Sequence, residues 1–181
     1  SFQLCQLPPN DRLNELGFHF TVGKLSFREL GKSLLSEGIG GPFAEYLSQT
    51  PKETAIWGEA FLKGFIDLTF RRDGQYFILD WKSNLLGAKQ ADFRQDLLVQ
   101  PMTSSNYMMQ YHLYVVALHR FLGQRLRGYD YDEHFGGVYY LFMRGMLDPN
   151  QPGDGIYFDK PERHLVERLD QALDSKMVSS S

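Results

Sequence analysis

The stretch Gly64-Phe65-Ile66-Asp67-Leu68-Thr69-Phe70-Arg71-Arg72-Asp73-Gly74-Gln75-Tyr76-Phe77-Ile78-Leu79-Asp80-Trp81-Lys82 decides how this chain folds. Two largely apolar runs flank Asp73-Gly74, a dipeptide suited to the two central positions of a tight hairpin. Residues 60–71 and 76–82 therefore read as paired antiparallel strands. With Asp73 and Gly74 as the loop, Arg72 stands opposite Gln75, and counting back in step brings Asp67 opposite Asp80. Side chains so opposed have Cβ atoms roughly 4.5–5.5 Å apart, and like charges at that spacing disfavour pairing. The surroundings are apolar: Phe65, Ile66 and Leu68 on one strand, Ile78 and Leu79 on the other. A carboxylate pair in such a place is expected to share a proton or hold a cation. Oxygen ligands suit a hard ion such as Mg²⁺ or Mn²⁺. Lys82 lies two residues past Asp80, on the same strand face. An ammonium there can orient an attacking water or stabilise charge developing on a phosphate. A plainer arrangement fits the same residues: a surface ion pair of Asp80 with Lys82, and an edge-strand charge at Asp67.

Outward from the hairpin, Leu16, Phe18, Phe20 and Val22 alternate with polar positions, as in a half-buried strand. Ser26 is a good helix N-cap, with Glu29 placed to complete a capping box. That helix should stop at Gly38, and a short one is expected from Pro42 to Ser48. Past Ser83, a helix is expected over 90–99, ending at Pro101. The longest helical pattern runs from Ser105 to Leu122. Gly137 to Met143 reads as a strand, and Pro161 opens a last helix with Leu165, Leu169 and Leu173 inward. Helices and strands intermix around an antiparallel hairpin, which predicts an α/β class with a mixed sheet.

The bulk properties narrow the choice of function. The chain has 181 residues, 43% hydrophobic and 23% charged, enough for one domain with a substantial core. No apolar run approaches a membrane span, and no membrane association or secretory leader is expected. Cys5 is the only cysteine, so an internal disulfide and a cysteine-held cluster are both excluded. The net charge is −3. Attraction to nucleic acid therefore has to come through partners or from a local patch, with Arg71, Arg72 and Lys82 as candidates. No P-loop motif is present, so ATP hydrolysis is not expected.

Gly64-Phe65-Ile66-Asp67-Leu68 followed by Leu79-Asp80-Trp81-Lys82-Ser83-Asn84 resembles the PD-(D/E)XK nuclease core as found in the RecB family. Met109-Gln110-Tyr111-His112-Leu113-Tyr114, with Ala117-Leu118-His119-Arg120 after it, resembles that family's Gln-x-x-x-Tyr helix. Tyr129-Asp130-Tyr131, His134-Phe135-Gly136-Gly137-Val138, Leu141-Phe142-Met143-Arg144-Gly145 and Gly155-Ile156-Tyr157 are similar to the family as well. The resemblance is collinear over roughly residues 13 to 175.

The resemblance implies a restriction-endonuclease-like mixed sheet flanked by helices, with residues 1–12 as a lead-in and 13–181 as the nuclease domain. It implies a Mg²⁺-dependent exodeoxyribonuclease of the exodeoxyribonuclease V type. The ion would be held by Asp67, Asp80 and the Trp81 backbone carbonyl, with Lys82 assisting the water. Gln110 and Tyr114 fall one helical turn apart, and by resemblance that face lines the active site and touches DNA. On the residues alone, Tyr107, Tyr111 and Tyr114 read more readily as packed core. Glu15 looks like the class's first-strand glutamate, and it also fits a solvent-facing charge. The expected setting is the bacterial cytoplasm, within an ATP-driven helicase–nuclease of double-strand break repair and recombination. Its partners would be DNA, RecC- and RecD-like subunits and the rest of a longer RecB-like chain. An alternative is a non-catalytic module that loads the RecA recombinase onto single-stranded DNA. The family pattern also carries a metal-ligand histidine upstream of the first aspartate, at a place that would precede Ser1. The chain is accordingly expected to be an N-terminally truncated piece and a poor nuclease alone. His19, His112, His119, His134 and His164 read as ordinary strand or helix residues. The iron–sulfur cluster of some relatives is not expected.

Overall fold

Asp73 and Gly74 both adopt left-handed backbone conformations in the computed structural model, with φ of 50° and 82°, the requirement of a type I′ hairpin turn. The turn joins β2 (Ala60–Arg72) to β3 (Gln75–Lys82), and the register runs from Arg72↔Gln75 to Leu68↔Leu79 as counted from the sequence. The structure describes residues 3–56, 60–146 and 153–174. The first two residues of the expected lead-in and the last seven of the expected domain lie outside that set.

The sheet has five strands in the order β1-β2-β3-β4-β5, with β1 at Arg12–Val22, β4 at Phe135–Phe142 and β5 at Ile156–Asp159. β3 pairs antiparallel with β2 and parallel with β4, and β5 returns antiparallel to β4. The sheet is therefore mixed, as expected. β1 keeps the predicted alternation, with Leu16, Phe20 and Val22 buried, but begins four residues before Leu16. The four-residue β5 has too few positions to show a period.

Residues divide into two compact units, one within Ser1–Leu16 and Phe65–Lys160, the other within Gly17–Gly64 and Pro161–Ser181. In the first, strand alternation sorts the side chains onto two faces. Leu68, Phe70, Leu79 and Leu141 form an apolar cluster with Leu7 on one face. Ile78, Asp80 and Lys82 alternate onto the other. The parallel connection from β3 to β4 passes through α3 (Val99–Ser104) and the long α4 (Tyr107–Arg125), and α4 packs against β4. At the start of β4 the register slips by one at Tyr76/Phe77, passing over Gly136. A Cβ on Gly136 would stand 2.2 Å from the Phe77 ring, so the bulge brings bare backbone against an aromatic side chain.

The helix expected over 90–99 is not continuous. Two short 3₁₀ turns, Gln90–Phe93 and Gln95–Leu97, precede α3, and α3 runs through Pro101 instead of ending there. Pro101 sits in the first turn of α3, where a missing N–H costs no helical bond. Local polar contacts hold the turns: Asp92 Oδ2 accepts from Lys89 N at 2.8 Å, and Arg94 pairs with Asp96 at 2.7 Å.

In the second unit, α1 (Phe27–Glu37) starts at Ser26, whose Oγ accepts from Glu29 N at 3.3 Å, and stops at Gly38 with φ of 71°. Glu29 carries an ion pair to Lys32 at 2.9 Å in place of the returning bond of a capping box. α2 (Gly41–Ser48) approaches α1 so closely that a Cβ on Gly31 would lie 2.4 Å from Ser48 N. α6 (Arg163–Asp174) buries Leu165, Leu169 and Leu173 as predicted. Arg168 of α6 grips Glu37 of α1 through two bonds of 2.7 and 2.9 Å.

Candidate active site

The antiparallel ladder between β2 and β3 is last matched at Leu68↔Leu79. One step further, the Trp81 backbone N–H donates to Asp67 Oδ2 at 3.0 Å. A side chain takes the bond that a continued ladder would have given to backbone, so the strands part here. Asp67 is half-buried at the parting, while Asp80 and Lys82 are buried on β3.

Lys82 is held from several sides. Its Nζ lies 2.5 Å from Asp80 Oδ1 and donates to Gln110 Oε1 at 2.9 Å. Its ammonium sits 4.0 Å from the centre of the Tyr107 ring and 4.8 Å from that of Tyr140, a cation–π enclosure. The same Gln110 oxygen accepts from Tyr140 Oη at 2.9 Å. Tyr114 donates to the Asp80 carboxylate, and Gln110 bonds the Tyr114 hydroxyl. Asp80, Lys82, Gln110 and Tyr114 thus close a ring of polar contacts between β3 and α4. Tyr107 Oη donates to Asn84 Oδ1 at 2.9 Å, tying the residues after Lys82 to the same helix.

The electrostatics follow from burial. Burial raises the Asp80 pKa above the ordinary carboxylate value; Lys82 opposes this, and the Asp67 charge adds to it. The Tyr114 phenol is raised too, first by burial and then by the Asp80 and Asp67 charges, so it remains a hydroxyl donor at neutral pH. Asp80 Oδ1 is buried and lacks a hydrogen bond of good geometry, despite its ion contact with Lys82. A buried, under-bonded carboxylate oxygen that feels the charge of a second carboxylate is the donor chemistry a hard cation answers. Among the described residues, no three His, Cys, Asp or Glu side chains converge for a metal. An ion here would rest on two carboxylates, a number that suits Mg²⁺ because it keeps several waters.

Glu15 is exposed, with φ of 54°. It lines a cleft of about 760 Å³ with Leu4, Arg12, Asp67, Leu68 and Trp81. Leu68 and Trp81 alternate out of phase with Asp80 and Lys82, so Glu15 is near Asp67 but is not drawn into the Asp80–Lys82 ring. Lys82 is not part of a surface patch with Arg71 and Arg72, and Arg71 is neutralised by Asp11 at 2.7 Å. His112 is fully buried with Nδ1 2.7 Å from Met108 O, and burial pulls its pKa down to about 3. In the sequence nothing marks Tyr140 or Asn84 for a role at the site, and Tyr107 reads as core. Tyr140 lies beside Asp80 only through the parallel register of β3 with β4.

The family model of the PD-(D/E)XK nuclease superfamily matches residues 14–178. The chain belongs to this superfamily. Within the matched residues, Asp67 and then Asp80-Trp81-Lys82 can be read against the letters of the name, with Ile66 where it writes proline. PD-(D/E)XK nucleases generally use divalent metal ions. Among curated relatives, the chain is 47% identical to the RecBCD enzyme subunit RecB of Escherichia coli over 110 residues, which is 61% of this chain and 9% of that protein. The RecB of Haemophilus influenzae is 44% identical over 112 residues, 62% of this chain and 9% of that protein. That of Mycolicibacterium smegmatis is 34% identical over 195 aligned positions, 96% of this chain and 18% of that protein. The chain therefore spans between 9% and 18% of the length of these relatives.

Proposed function

We propose that this chain is the catalytic nuclease domain of a RecBCD-type exodeoxyribonuclease, hydrolysing DNA phosphodiesters with Mg²⁺, and Mn²⁺ as a substitute. The observation that carries the reading is Lys82 Nζ, buried and shared between Asp80 and Gln110, at the point where Asp67 interrupts the ladder. In the proposed roles, Asp67 and Asp80 supply carboxylate oxygens to the ion. The Trp81 carbonyl is a third donor: its N–H turns toward Asp67, and in an extended residue the carbonyl turns the same way. The chemistry such an ion supplies is Lewis-acid polarisation of the phosphate and acidification of a water.

The chain's own residues do the rest. Hydrolysis forms a bond from the water oxygen to phosphorus and breaks the bond from phosphorus to the sugar oxygen, which leaves as a hydroxyl with a proton that balances the one the water gives up. Lys82 is an ammonium fixed in place before substrate arrives, so it stabilises the added negative charge without reorganising. Gln110 fixes Lys82, and Tyr140 fixes Gln110. Tyr114 donates to Asp80 and holds its carboxylate in one orientation. Glu15 supports the Asp67 side of the site. The names of the relatives support assembly with RecC- and RecD-like subunits on DNA, and with it a role in break repair and recombination.

The test is digestion of end-labelled DNA by the full-length protein with Mg²⁺, beside its Asp80→Ala variant. Mg²⁺-dependent release of label that Asp80→Ala abolishes is the expected result. Equal digestion by the two proteins would overturn the assignment.

A further inference from the structure

β3 and β4 run parallel, with Lys82 beside Phe142. Their carboxyl ends therefore open on one edge of the sheet, the edge where parallel strands generally present ligand-binding groups. Lys82 is the last residue of β3. Arg144 stands two residues past the end of β4, in the 3₁₀ turn Met143–Gly145. Arg144 Nε donates to Ser83 O at 2.8 Å, the carbonyl of the residue that follows Lys82. The Arg144 residue is exposed, and no carboxylate among the described residues pairs with it. The turn that carries it is itself tied down, since Gln90 Nε2 donates to Gly145 O at 2.8 Å.

A phosphodiester entering beside Asp67 and Asp80 adds negative charge to a site that already holds two carboxylates. Lys82 is committed to Asp80 and Gln110, and the chain as a whole is acidic. Another cation at the same edge is what the charge balance calls for. A guanidinium meets phosphate oxygens with two parallel donors. Anchoring Nε on a carbonyl reduces the side-chain freedom lost on binding and leaves the terminal nitrogens for the ligand. We infer that Arg144 binds a backbone phosphate of the DNA strand next to the scissile one. This rests on the nuclease reading above.

The experiment measures both cleavage and binding of a fluorescent oligonucleotide by the full-length protein and its Arg144→Ala and Arg144→Lys variants, across a range of salt. Arg144→Ala should raise KM and weaken binding by roughly ten- to hundredfold, the size of one charged hydrogen-bonded contact. The slope of log affinity against log salt should become shallower by about 0.7–0.9. Arg144→Lys should restore the slope and only part of the affinity, because an ammonium is a point charge without the planar fork that spans Ser83 O and two phosphate oxygens. An unchanged salt slope in Arg144→Ala overturns the phosphate contact. So does a fall in kcat alone, which would make Arg144 a prop for Ser83. Arg144-dependent binding without cleavage by the unaltered protein leaves the contact standing and sinks the nuclease reading. Cleavage with Arg144-independent binding does the reverse, and a protein that neither binds nor cuts overturns both.

Discussion

Asp67 Oδ2 accepts the Trp81 backbone N–H at 3.0 Å, one step beyond the last matched pair of the hairpin, Leu68↔Leu79. The bond gives Asp67 two jobs, a structural one through its oxygen and an electrostatic one through its charge. The two separate by substitution. Asp67→Asn retains an acceptor for the Trp81 N–H and should keep the unfolding midpoint close to that of the unaltered protein. It should still abolish metal-dependent cleavage, because one of two ligand charges is gone. Asp67→Ala loses both and should be about 1 kcal/mol less stable besides. Urea unfolding and DNA digestion on the same preparations check this. An active Asp67→Asn protein would show that the charge is not needed for the ion.

Lys82→Ala should reduce cleavage by the full-length protein by about 10²-fold or more, the scale of losing a preorganised charge stabiliser. DNA unwinding by a motor in the same assembly should change little. Single-turnover cleavage beside an unwinding assay reads both. Near-normal cleavage would reduce Lys82 to a buried partner of Asp80.

Tyr140→Phe removes one hydroxyl and keeps the ring that Lys82 faces at 4.8 Å. Gln110 Oε1 loses one of its two donors and holds Lys82 less firmly. The expected result is a fall in kcat of about tenfold, with KM for DNA unchanged, as for an interaction that matters most in the transition state. A shift in KM alone would place Tyr140 in substrate binding instead.

His112 makes stability depend on pH. Burial lowers its folded pKa to about 3 from an ordinary 6.5. Between those values the unfolded chain binds more protons than the folded one, so stability rises with pH across the window. It is complete above about 6.5 and is lost as pH falls toward 3, at on the order of 1 kcal/mol per unit. Glu37 acts in the same direction lower down, since its bonds to Arg168 and Ser33 lower its pKa to about 2. Thermal midpoints measured from pH 7 to pH 4 should fall steadily, and His112→Leu should flatten the upper part of the curve. A His112→Leu protein with the same pH slope would assign the effect to other groups.

Gly74→Ala should destabilise the fold by roughly 1–2 kcal/mol, the cost of placing a Cβ at left-handed φ. Gly74 sits at φ of 82°, with open space around it, so backbone strain and not a clash is the cause. Because the turn sets the register, cleavage should survive wherever the protein remains folded. A Gly74→Ala protein as stable as the parent would mean that the turn tolerates another geometry.

The sequence by itself determined whatever depends on neighbours a few residues apart. Asp73-Gly74 specifies a type I′ turn, the turn specifies the register, and the register carries Asp67 and Asp80 to the same end of the hairpin. Ser26 and Gly38 bound a helix for equally local reasons, and the spacing of Gln110 and Tyr114 puts them on one helical face. Tertiary structure decided the rest. The parallel pairing that sets Tyr140 beside Asp80 joins strands whose facing residues are sixty positions apart in the chain, and no local propensity encodes that register. Pro101 looked like a helix stop because a proline ends a helix in its interior, yet packing placed it in a first turn, where its missing N–H is harmless. The sequence left Lys82 open between a site residue and a surface cation. Its burial came from α4 and β4 closing over it, with Gln110 and two aromatic rings supplying what water would otherwise have provided.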